Sequence, residues 1–277
     1  MAGGASEQAA RLDIDAYLER IKWRASTSPT LETLSGLLSA HMARIPFENI
    51  DVLLGRPIRL DLDGLQAKLV RARRGGYCFE HATLFAAVLT QLGFRPSTHS
   101  ARVVLVAPRE HAPRSHMFLT VAVSGTTYVV DPGFGRLAPQ APLPLVHARE
   151  TRAGHETYWM LHEPPHWVMR TRAGDKVADA WVSTLEADTQ VDFEVANHYV
   201  ATHPRSPFVN RLMLRAIRDD GSYVAVMNRD VTTWRSGVPQ ASELADRRAL
   251  RALLAGDFGM DLPEVESLHV PSIPEWP

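Results

Sequence analysis

Residues 73–81 read Arg73-Arg74-Gly75-Gly76-Tyr77-Cys78-Phe79-Glu80-His81 and contain the only cysteine of the 277-residue chain. Apolar residues follow at helical spacing as far as Leu92, and Gly93 comes directly after them, which predicts a helix that begins at the cysteine. A thiol at a helix N-terminus lies near unpaired N–H groups and the positive end of the helix dipole, and both favour the nucleophilic thiolate. The alternative is that Cys78 is a small buried apolar residue, the commonest role of a lone cysteine.

Composition excludes several classes of protein. The chain has 30 basic and 31 acidic residues, so it lacks the basic surplus of nucleic-acid or acidic-membrane binders. One cysteine cannot form an intramolecular disulfide or a cysteine-rich zinc site, and it indicates a reducing compartment. The first residues, 1–10, lack a signal-peptide pattern, and no apolar run reaches the ~18 residues of a membrane span. We expect a cytoplasmic monomer or homodimer without nucleic-acid or membrane partners.

Periodicity predicts helices in residues 1–93 and short strands after them. Residues 1–10 are expected to be a frayed tail, and a helix is predicted over residues 12–23. Ser28 is predicted to cap a second helix, with Pro29 at its first position, and Pro46 ends that helix. A shorter helix precedes the glycine pair, a helix is predicted over 242–255, and the tail from 262 is expected to be extended. The strands predicted between them are typical of a barrel or sandwich: 98–106, 116–123, 127–130, 158–161, 167–171, 177–182, 212–217 and 223–227.

One predicted hairpin supplies a histidine and a carboxylate. His116 starts its first strand, which ends at Val123, and Asp131 follows its second strand. A two-residue Ser124-Gly125 loop, or a four-residue loop, places Asp131 on the face of His116, whereas a three-residue loop places it on the opposite face. In the two-residue register the side chains are diagonal neighbours with Cβ atoms under ~7–8 Å apart, which is within reach of a hydrogen bond. Alternatively, His116 is an ordinary core histidine and Asp131 an ordinary turn residue.

The order Cys, His, Asp suits a cysteine triad, and here the sequence resembles the arylamine N-acetyltransferases. The resemblance runs from about Tyr17 to about Trp234. It rests on five blocks in sequence: Ile45-Pro46-Phe47-Glu48-Asn49, Arg74-Gly75-Gly76-Tyr77-Cys78-Phe79-Glu80, Ser115-His116-Met117, Asp131-Pro132-Gly133-Phe134-Gly135 and Thr202-His203-Pro204-Arg205-Ser206-Pro207-Phe208.

The resemblance implies an α+β fold of three parts: an N-terminal helical bundle with the nucleophile (1–93), a central β-barrel with the histidine and aspartate (94–200) and a C-terminal α/β lid (201–277). It implies that Cys78 takes an acetyl group from acetyl-CoA and passes it to a small arylamine or arylhydrazine. His116 would hold Cys78 as thiolate and take the proton of the amine, and Asp131 would fix the imidazole tautomer. The N–H of Cys78, with a second donor such as the Phe79 N–H, would hold the oxyanion.

The resemblance also implies residues that contact CoA or the acceptor, for which core packing is the alternative: Phe47, Ser115, Gly133, Phe134, Phe208 and Trp234. No metal site is expected, because Glu163-Pro164-Pro165 prevents a helix that would join His162 and His166. Two positions depart from the family pattern. Ala82 replaces an asparagine, and Pro132 replaces a valine and so removes an N–H. Both departures are expected to affect substrate preference more than the triad.

Three other functions remain open at this stage. A macrolactam-forming amide synthase would use the same scaffold, with Cys78 attacking a polyketide thioester. A thiol hydrolase of the transglutaminase or papain type would pass the acyl group to water or to a peptide amine. A non-catalytic descendant would only bind a CoA-like ligand.

Overall fold

The computed structural model describes residues 11–218, 220–273 and 275–276, so the predicted N-terminal tail lies outside the described residues. The fold is mixed α+β. The helices are α1 (Ile14–Arg20), α2 (Leu31–Arg44), α3 (Ile50–Leu53), α4 (Leu62–Leu65), α5 (Cys78–Gln91), α6 (Gln190–Thr202), α7 (Pro207–Asn210) and α8 (Arg247–Leu253). The strands are β1 (Phe47–Glu48), β2 (Pro96–Val103), β3 (Arg114–Val123), β4 (Thr126–Val130), β5 (Leu143–Pro144), β6 (Thr151–Ala153), β7 (Glu156–Glu163), β8 (His166–Ala173), β9 (Lys176–Ser183), β10 (Met213–Ile217), β11 (Tyr223–Met227), β12 (Asp230–Arg235) and β13 (Val238–Glu243).

The helices α1 and α2 form where the apolar periodicity predicts them, but the N-cap of α2 differs from the prediction. Thr30 has extended backbone angles, and its hydroxyl accepts from the Thr33 N–H at 3.2 Å. Ser28 lies two residues outside the cap, where its N–H is bonded to the Ser26 hydroxyl. The predicted Ser28 cap was therefore wrong, because a threonine nearer the apolar series supplies the same oxygen.

The predicted helix at the cysteine is confirmed. Cys78 is the first residue of α5, and Gly93, with φ of 87°, follows its C-terminus. The apolar face of α5 is buried in the first core cluster, together with residues of α2 and of β3. This packing fixes the position of the helix start relative to the β3–β4 hairpin.

The hairpin has the two-residue loop that the sequence analysis considered first. Val123 pairs with Thr126, and the loop residues Ser124 and Gly125 both have positive φ, 49° and 79°. Such a loop matches the twist of the strands. The pairing continues to Leu119 opposite Val130, so the register places Asp131 on the same face as His116, as predicted.

Eight strands form a nearly closed barrel in the order β5-β4-β3-β2-β9-β8-β7-β6. His147, just after β5, bridges to Met160 in β7, which brings the two ends of the sheet together. Phe118 and Trp181 stack at 4.2 Å inside the barrel core. The barrel interior is therefore filled with side chains and holds the strand ends that carry His116 and Asp131 in place.

The second sheet has the order β1-β10-β11-β12-β13 and covers a separate apolar core with α8. Sequence analysis did not predict β12, β13 or α6. All residues of β13 are exposed, so this strand has no apolar alternation to reveal it. The helix predicted from Ser242 was wrong at its start, because Ser242 pairs with Val231 and α8 begins only after its cap, Asp246.

The C-terminal tail is more ordered than the predicted extended segment. Residues Pro263–Ser267 form a 3₁₀ turn, and Val265, Leu268 and Val270 are buried in the second core. Apolar side chains at irregular spacing, between prolines, do not indicate this docking in the sequence. None of the helices in the described ranges is long and apolar enough to span a bilayer.

Residues 46–48 and 74–76 lie in direct backbone contact just before α5. The Gly76 N–H donates to the Pro46 carbonyl at 3.2 Å, and the Glu48 N–H donates to the Gly76 carbonyl at 2.8 Å. A Cβ atom at Gly75 would lie 2.2 Å from the Pro46 carbonyl oxygen. Glycine is required at 75 because no side chain fits between these segments.

Gly75→Ala is expected to lower the free energy of unfolding by about 1–3 kcal/mol, the usual cost of overpacking. Gly256→Ala is the matched control, because a Cβ atom there meets nothing within 4 Å. Urea unfolding of the two variants measures the difference. Equal stability of both variants would contradict this reading of the 46–48 and 74–76 contact.

Candidate active site

Cys78 lies at the start of α5, beneath the loop that follows Asp131. Its side chain is buried, with the residue 3% exposed, and Sγ lies 3.8 Å from the Ser115 carbonyl oxygen. Gly133 packs directly on it: a Cβ atom there would be 2.7 Å from the Cys78 Cα atom. Ser115 and Gly133, two of the predicted contact residues, therefore adjoin the cysteine.

A buried set of charges holds the turn before Cys78. Arg74 is paired with Glu48 at 2.8 Å and with Asp51 at 3.2 Å. Lys68 is paired with Asp51 at 2.9 Å and with Glu80 at 2.8 Å. Burial opposes the charge of Lys68, but these carboxylates outweigh it and raise its pKa. The Glu80 carboxylate also accepts from the Tyr77 N–H at 3.1 Å, so it caps α5 next to the nucleophile.

Glu48 and Glu80 lie in blocks that the sequence analysis singled out, whereas Asp51 and Lys68 were missed. A single sequence cannot show that a lysine ten residues before the cysteine folds back onto its helix. One signal in the sequence pointed to a missing cation. The two blocks carry more carboxylates than cations, and buried carboxylates require cations as partners.

His116 and Asp131 form a buried hydrogen-bonded pair. His116 Nε2 lies 2.7 Å from Asp131 Oδ2, and both side chains are buried. Burial alone lowers the pKa of His116, but the charge and hydrogen bond of Asp131 and the hydrogen bond to the Cys78 side chain raise it to about 10. Because Nε2 is taken by Asp131, Nδ1 is the nitrogen left for Cys78. The structure thus pairs His116 with Asp131 and places the Cys78 side chain next to His116.

Asp131 has two further hydrogen-bond partners. The Trp181 indole N–H donates to the same oxygen, Oδ2, at 3.2 Å, and the Gly133 N–H donates to Oδ1 at 3.3 Å. Trp181 was missed because it lies on β9, fifty residues along the chain from Asp131. The available signal was a tryptophan in a predicted strand, since a buried indole needs a partner for its N–H.

Of the predicted aromatic residues, Phe134 contacts this pair, and Phe47 and Phe208 lie behind it. Phe134 packs against the His116 ring at 4.7 Å, and Phe208 lies 5.2 Å from Tyr77 and 6.3 Å from Phe47, measured between ring centroids. Phe47 in turn approaches Gly135, where a Cβ atom would be 3.3 Å from its ring. A continuous apolar wall is therefore formed by Phe134, Gly135, Phe47, Phe208 and Tyr77.

A small pocket of about 10 Å³, enough for about one water molecule, opens beside this wall. It is lined by Met42, Ile45, Phe47, His81, Pro132, Gly135, Arg215 and Ile217. A larger open groove of about 420 Å³ runs along residues 104–109 and contains none of the predicted site residues.

Trp234 lies on β12, beside the loop that carries Phe134. It stacks on Tyr223 at 4.4 Å, and the Arg136 guanidinium lies 5.8 Å above its ring. Arg136 follows Gly135 directly, so Trp234 adjoins the loop that carries Phe134. No contact of Trp234 with Cys78 or with His116 appears among the aromatic contacts of the described residues.

The two departures from the family pattern lie next to the cysteine. Ala82 is fully buried in the first core, so the missing polar group is replaced by packing. Pro132 lines the small pocket, together with Phe47 and Gly135. Among the residues that the structure describes, no group of three or more His, Cys, Asp or Glu side chains is arranged to hold a metal ion.

Sequence comparison shows which known proteins this chain is similar to. A sequence model of the N-acetyltransferase family matches residues 30–267. The arylamine N-acetyltransferase of Mycobacterium tuberculosis strain H37Rv is 38% identical over 259 residues, which cover 92% of this chain and 91% of that protein. The Escherichia coli K12 enzyme is 33% identical over 254 residues, which cover 91% of this chain and 90% of that protein.

Solved structures give the same result. The M. tuberculosis arylamine N-acetyltransferase superposes with a TM-score of 0.86 at 37% identity, covering 91% of this chain and 96% of that chain. The Mycobacterium marinum enzyme in complex with CoA superposes with a TM-score of 0.86 at 35% identity, covering 91% and 94%. The family model and these superpositions place the chain in the N-acetyltransferase class of acyltransferases. Within that class, the chain belongs to the arylamine N-acetyltransferase family.

Asp131→Asn is expected to remove a pH dependence of stability. In the wild-type protein the pKa of His116 is about 10, above its unfolded value near 6.5, so the folded state binds the proton more strongly. The protonated His116–Asp131 pair therefore stabilises the folded state fully below about pH 6.5. This contribution to the free energy of unfolding is lost as the pH rises towards 10, by at most roughly 1.4 kcal/mol per pH unit. In the variant no carboxylate offsets the burial of His116, so the pKa of His116 falls. The free energy of unfolding then no longer decreases with pH over this range. Urea unfolding between about pH 7 and pH 9 measures it; equal slopes in both proteins would contradict the assignment.

Trp181→Phe is expected to slow the reaction of Cys78 with an acyl donor about tenfold. The substitution keeps the ring that packs on Phe118 but removes an N–H donor to a buried carboxylate, an interaction worth about 1.5–3 kcal/mol. Trp167→Phe is the control, since Trp167 stacks on His162 at 4.5 Å in the same barrel. Single-turnover acetylation measures the rate, and an equal effect of both substitutions would argue against a role for the indole N–H.

Proposed function

We propose that this chain transfers an acetyl group from acetyl-CoA to the amino group of an arylamine or arylhydrazine through an acetyl-Cys78 thioester. The chain is an acyltransferase of the arylamine N-acetyltransferase family, and acetyl-CoA is the acyl donor of N-acetyltransferases. The observation that carries the proposal is the buried His116–Asp131 bond of 2.7 Å beside a cysteine at a helix start.

The proposed first half-reaction acylates the cysteine. His116, protonated between Asp131 and Cys78, holds the sulfur as thiolate. The thiolate attacks the acetyl-CoA carbonyl, forming the S–C bond of acetyl-Cys78. The bond to the CoA sulfur breaks, and the leaving thiolate takes the imidazolium proton, so CoA departs as the free thiol.

In the proposed second half-reaction the neutral imidazole acts as base. The amine nitrogen attacks the acetyl carbonyl, its proton passes to His116, and the C–S bond breaks to release the amide. This step restores the Cys78 thiolate and the His116 imidazolium. Asp131 keeps the proton on Nε2, so that Nδ1 is free to exchange its proton at the reacting atoms.

The oxyanion of both tetrahedral intermediates is proposed to be held at the start of α5. The Cys78 N–H is one of the unpaired donors there, and the Phe79 N–H is the second candidate. The helix dipole favours the same negative charge. The acceptor and the pantetheine arm are proposed to lie along Phe47, Phe134 and Phe208, with Ser115, Gly133 and Trp234 at the edges of the same cleft.

The finer organisation of the fold is also a proposal. We propose that residues 1–93 act as the helical bundle with the nucleophile, 94–200 as the barrel part and 201–277 as the lid. A cytoplasmic location is proposed from the single reduced cysteine. The amide synthase, thiol hydrolase and non-catalytic alternatives have no support in the relatives described above.

The proposal is tested by intact-mass measurement after brief exposure to acetyl-CoA without acceptor. One acetyl group on the wild-type chain, mapped to Cys78 and lost when an arylamine or arylhydrazine is added, is the expected result. Cys78→Ser is expected to remain unmodified. A wild-type chain that stays unacetylated, or an adduct that water removes as fast as the amine does, would overturn the proposal.

A further inference from the structure

A chain of three buried side chains runs from the N-terminal helix to the turn before Cys78. The Tyr17 hydroxyl lies 2.9 Å from His41 Nδ1, and His41 Nε2 lies 2.8 Å from His81 Nδ1. Tyr17 and His41 are 0% exposed and His81 is 1% exposed. The three residues belong to α1, α2 and α5, and the proposed reaction uses none of them.

The far end of this chain determines the direction of its hydrogen bonds. His81 Nε2 lies 3.1 Å from the Gly76 carbonyl oxygen and 3.2 Å from the Pro46 carbonyl oxygen. Carbonyl oxygens only accept, so Nε2 must carry a proton, and Nδ1 of a neutral His81 must accept. His41 Nε2 is then the donor to His81. Because the single proton of a neutral His41 is then on Nε2, His41 Nδ1 accepts from the hydroxyl of Tyr17.

The groups of the chain are neutral at ordinary pH. Burial lowers the pKa of His81 to about 4. Burial, together with the neighbouring His81 ring and the positive charge of Arg20, lowers the pKa of His41 well below its usual value, and burial raises that of Tyr17. A proton added to His81 Nδ1 would face the His41 N–H, so the tautomer of each ring is fixed by its neighbour.

The two carbonyls that His81 holds belong to the backbone contact that precedes the nucleophile. Gly76 lies two residues before Cys78, and its carbonyl also accepts from the Glu48 N–H at 2.8 Å. His81 also touches the loop after Asp131, since a Cβ atom at Gly133 would be 3.2 Å from the His81 Cβ atom. His81 therefore binds one of the segments next to Cys78 through its ring and packs against the other, the loop after Asp131, through its Cβ atom.

We propose that Tyr17, His41 and His81 are positioning residues for acyl transfer. Their directed hydrogen bonds hold the proton of His81 on Nε2, and this proton anchors the Gly76 and Pro46 carbonyls. The anchor sets the orientation of the peptide that leads into Cys78, and with it the direction of the sulfur and of the first N–H groups of α5. This inference rests on the proposed function for its rate effect, but the tautomers follow from the structure alone.

The tautomers are tested by nitrogen NMR of the full chain labelled at its histidines, with His41→Gln and His81→Gln used to assign the signals. We expect both rings to carry their proton on Nε2 and to show no titration between about pH 6 and pH 8. A proton on Nδ1 of either ring, or titration in this range, would overturn the inference. This measurement needs no substrate and so stands apart from the proposed function.

The positioning effect is tested by the rate of Cys78 acetylation in single turnovers, at a temperature at which circular dichroism shows each variant folded. His81→Leu is expected to slow acetylation at least about thirtyfold, and His81→Gln, which retains a donor and an acceptor, to recover most of the rate. His99→Leu is the matched control. His99 is 4% exposed and is held in the barrel by the Glu186 carbonyl at 2.9 Å and the Thr120 hydroxyl at 2.8 Å.

We expect His99→Leu to lose stability but to keep its acetylation rate within about twofold. Equal slowing by the two leucine variants, or a wild-type rate in His81→Leu, would overturn the inference. If His81→Leu does not fold, Tyr17→Phe, which removes one oxygen, is expected to slow acetylation about threefold to tenfold, and an unchanged rate would overturn the inference. If the wild-type chain is not acetylated at all, the proposed function fails instead, and alkylation of Cys78 by iodoacetamide in the same variants decides the positioning role.

Discussion

The close backbone contact between residues 46–48 and 74–76 determines where the cysteine lies. Two hydrogen bonds join these segments, and Gly75 leaves no room for a side chain between them. Because α5 starts two residues later, a small shift in this contact moves the first turn of the helix. The buried charges and the histidine chain both end at this contact, which indicates that much of the polar interior serves to keep it in one geometry.

Buried polar groups are costly, and this protein places many of them around one turn. Arg74 and Lys68 are each paired with two carboxylates, and the histidine chain satisfies its donors and acceptors in sequence. Buried polar networks of this kind contribute more to specifying one arrangement than to net stability. The proposed acyl transfer needs such an arrangement, because a displacement of about 1 Å at the reacting atoms can slow a reaction about a hundredfold.

The candidate site was predictable to the extent that its residues lie in local patterns. The helix at Cys78 follows from apolar spacing, and the His116–Asp131 pairing follows from alternation in a hairpin with a two-residue loop. Trp181, Lys68 and His41 were not predictable as parts of the site. Each lies on a separate element, and its contact with the site depends on how that element packs. The exposed strand β13 was missed for a different reason, because an edge strand without a buried face lacks the alternation that identifies a strand.

The amino-acid sequence by itself determined the family, the order of nucleophile, histidine and aspartate, and the hairpin that places the last two on one face. These features depend on neighbours along the chain, where spacing alone decides which side chains share a face. Only the tertiary structure decided the protonation of His116, the donors to Asp131 and the direction of the Tyr17–His41–His81 chain. Those properties depend on burial and on partners from distant segments, and both arise only when the helices and the barrel pack together.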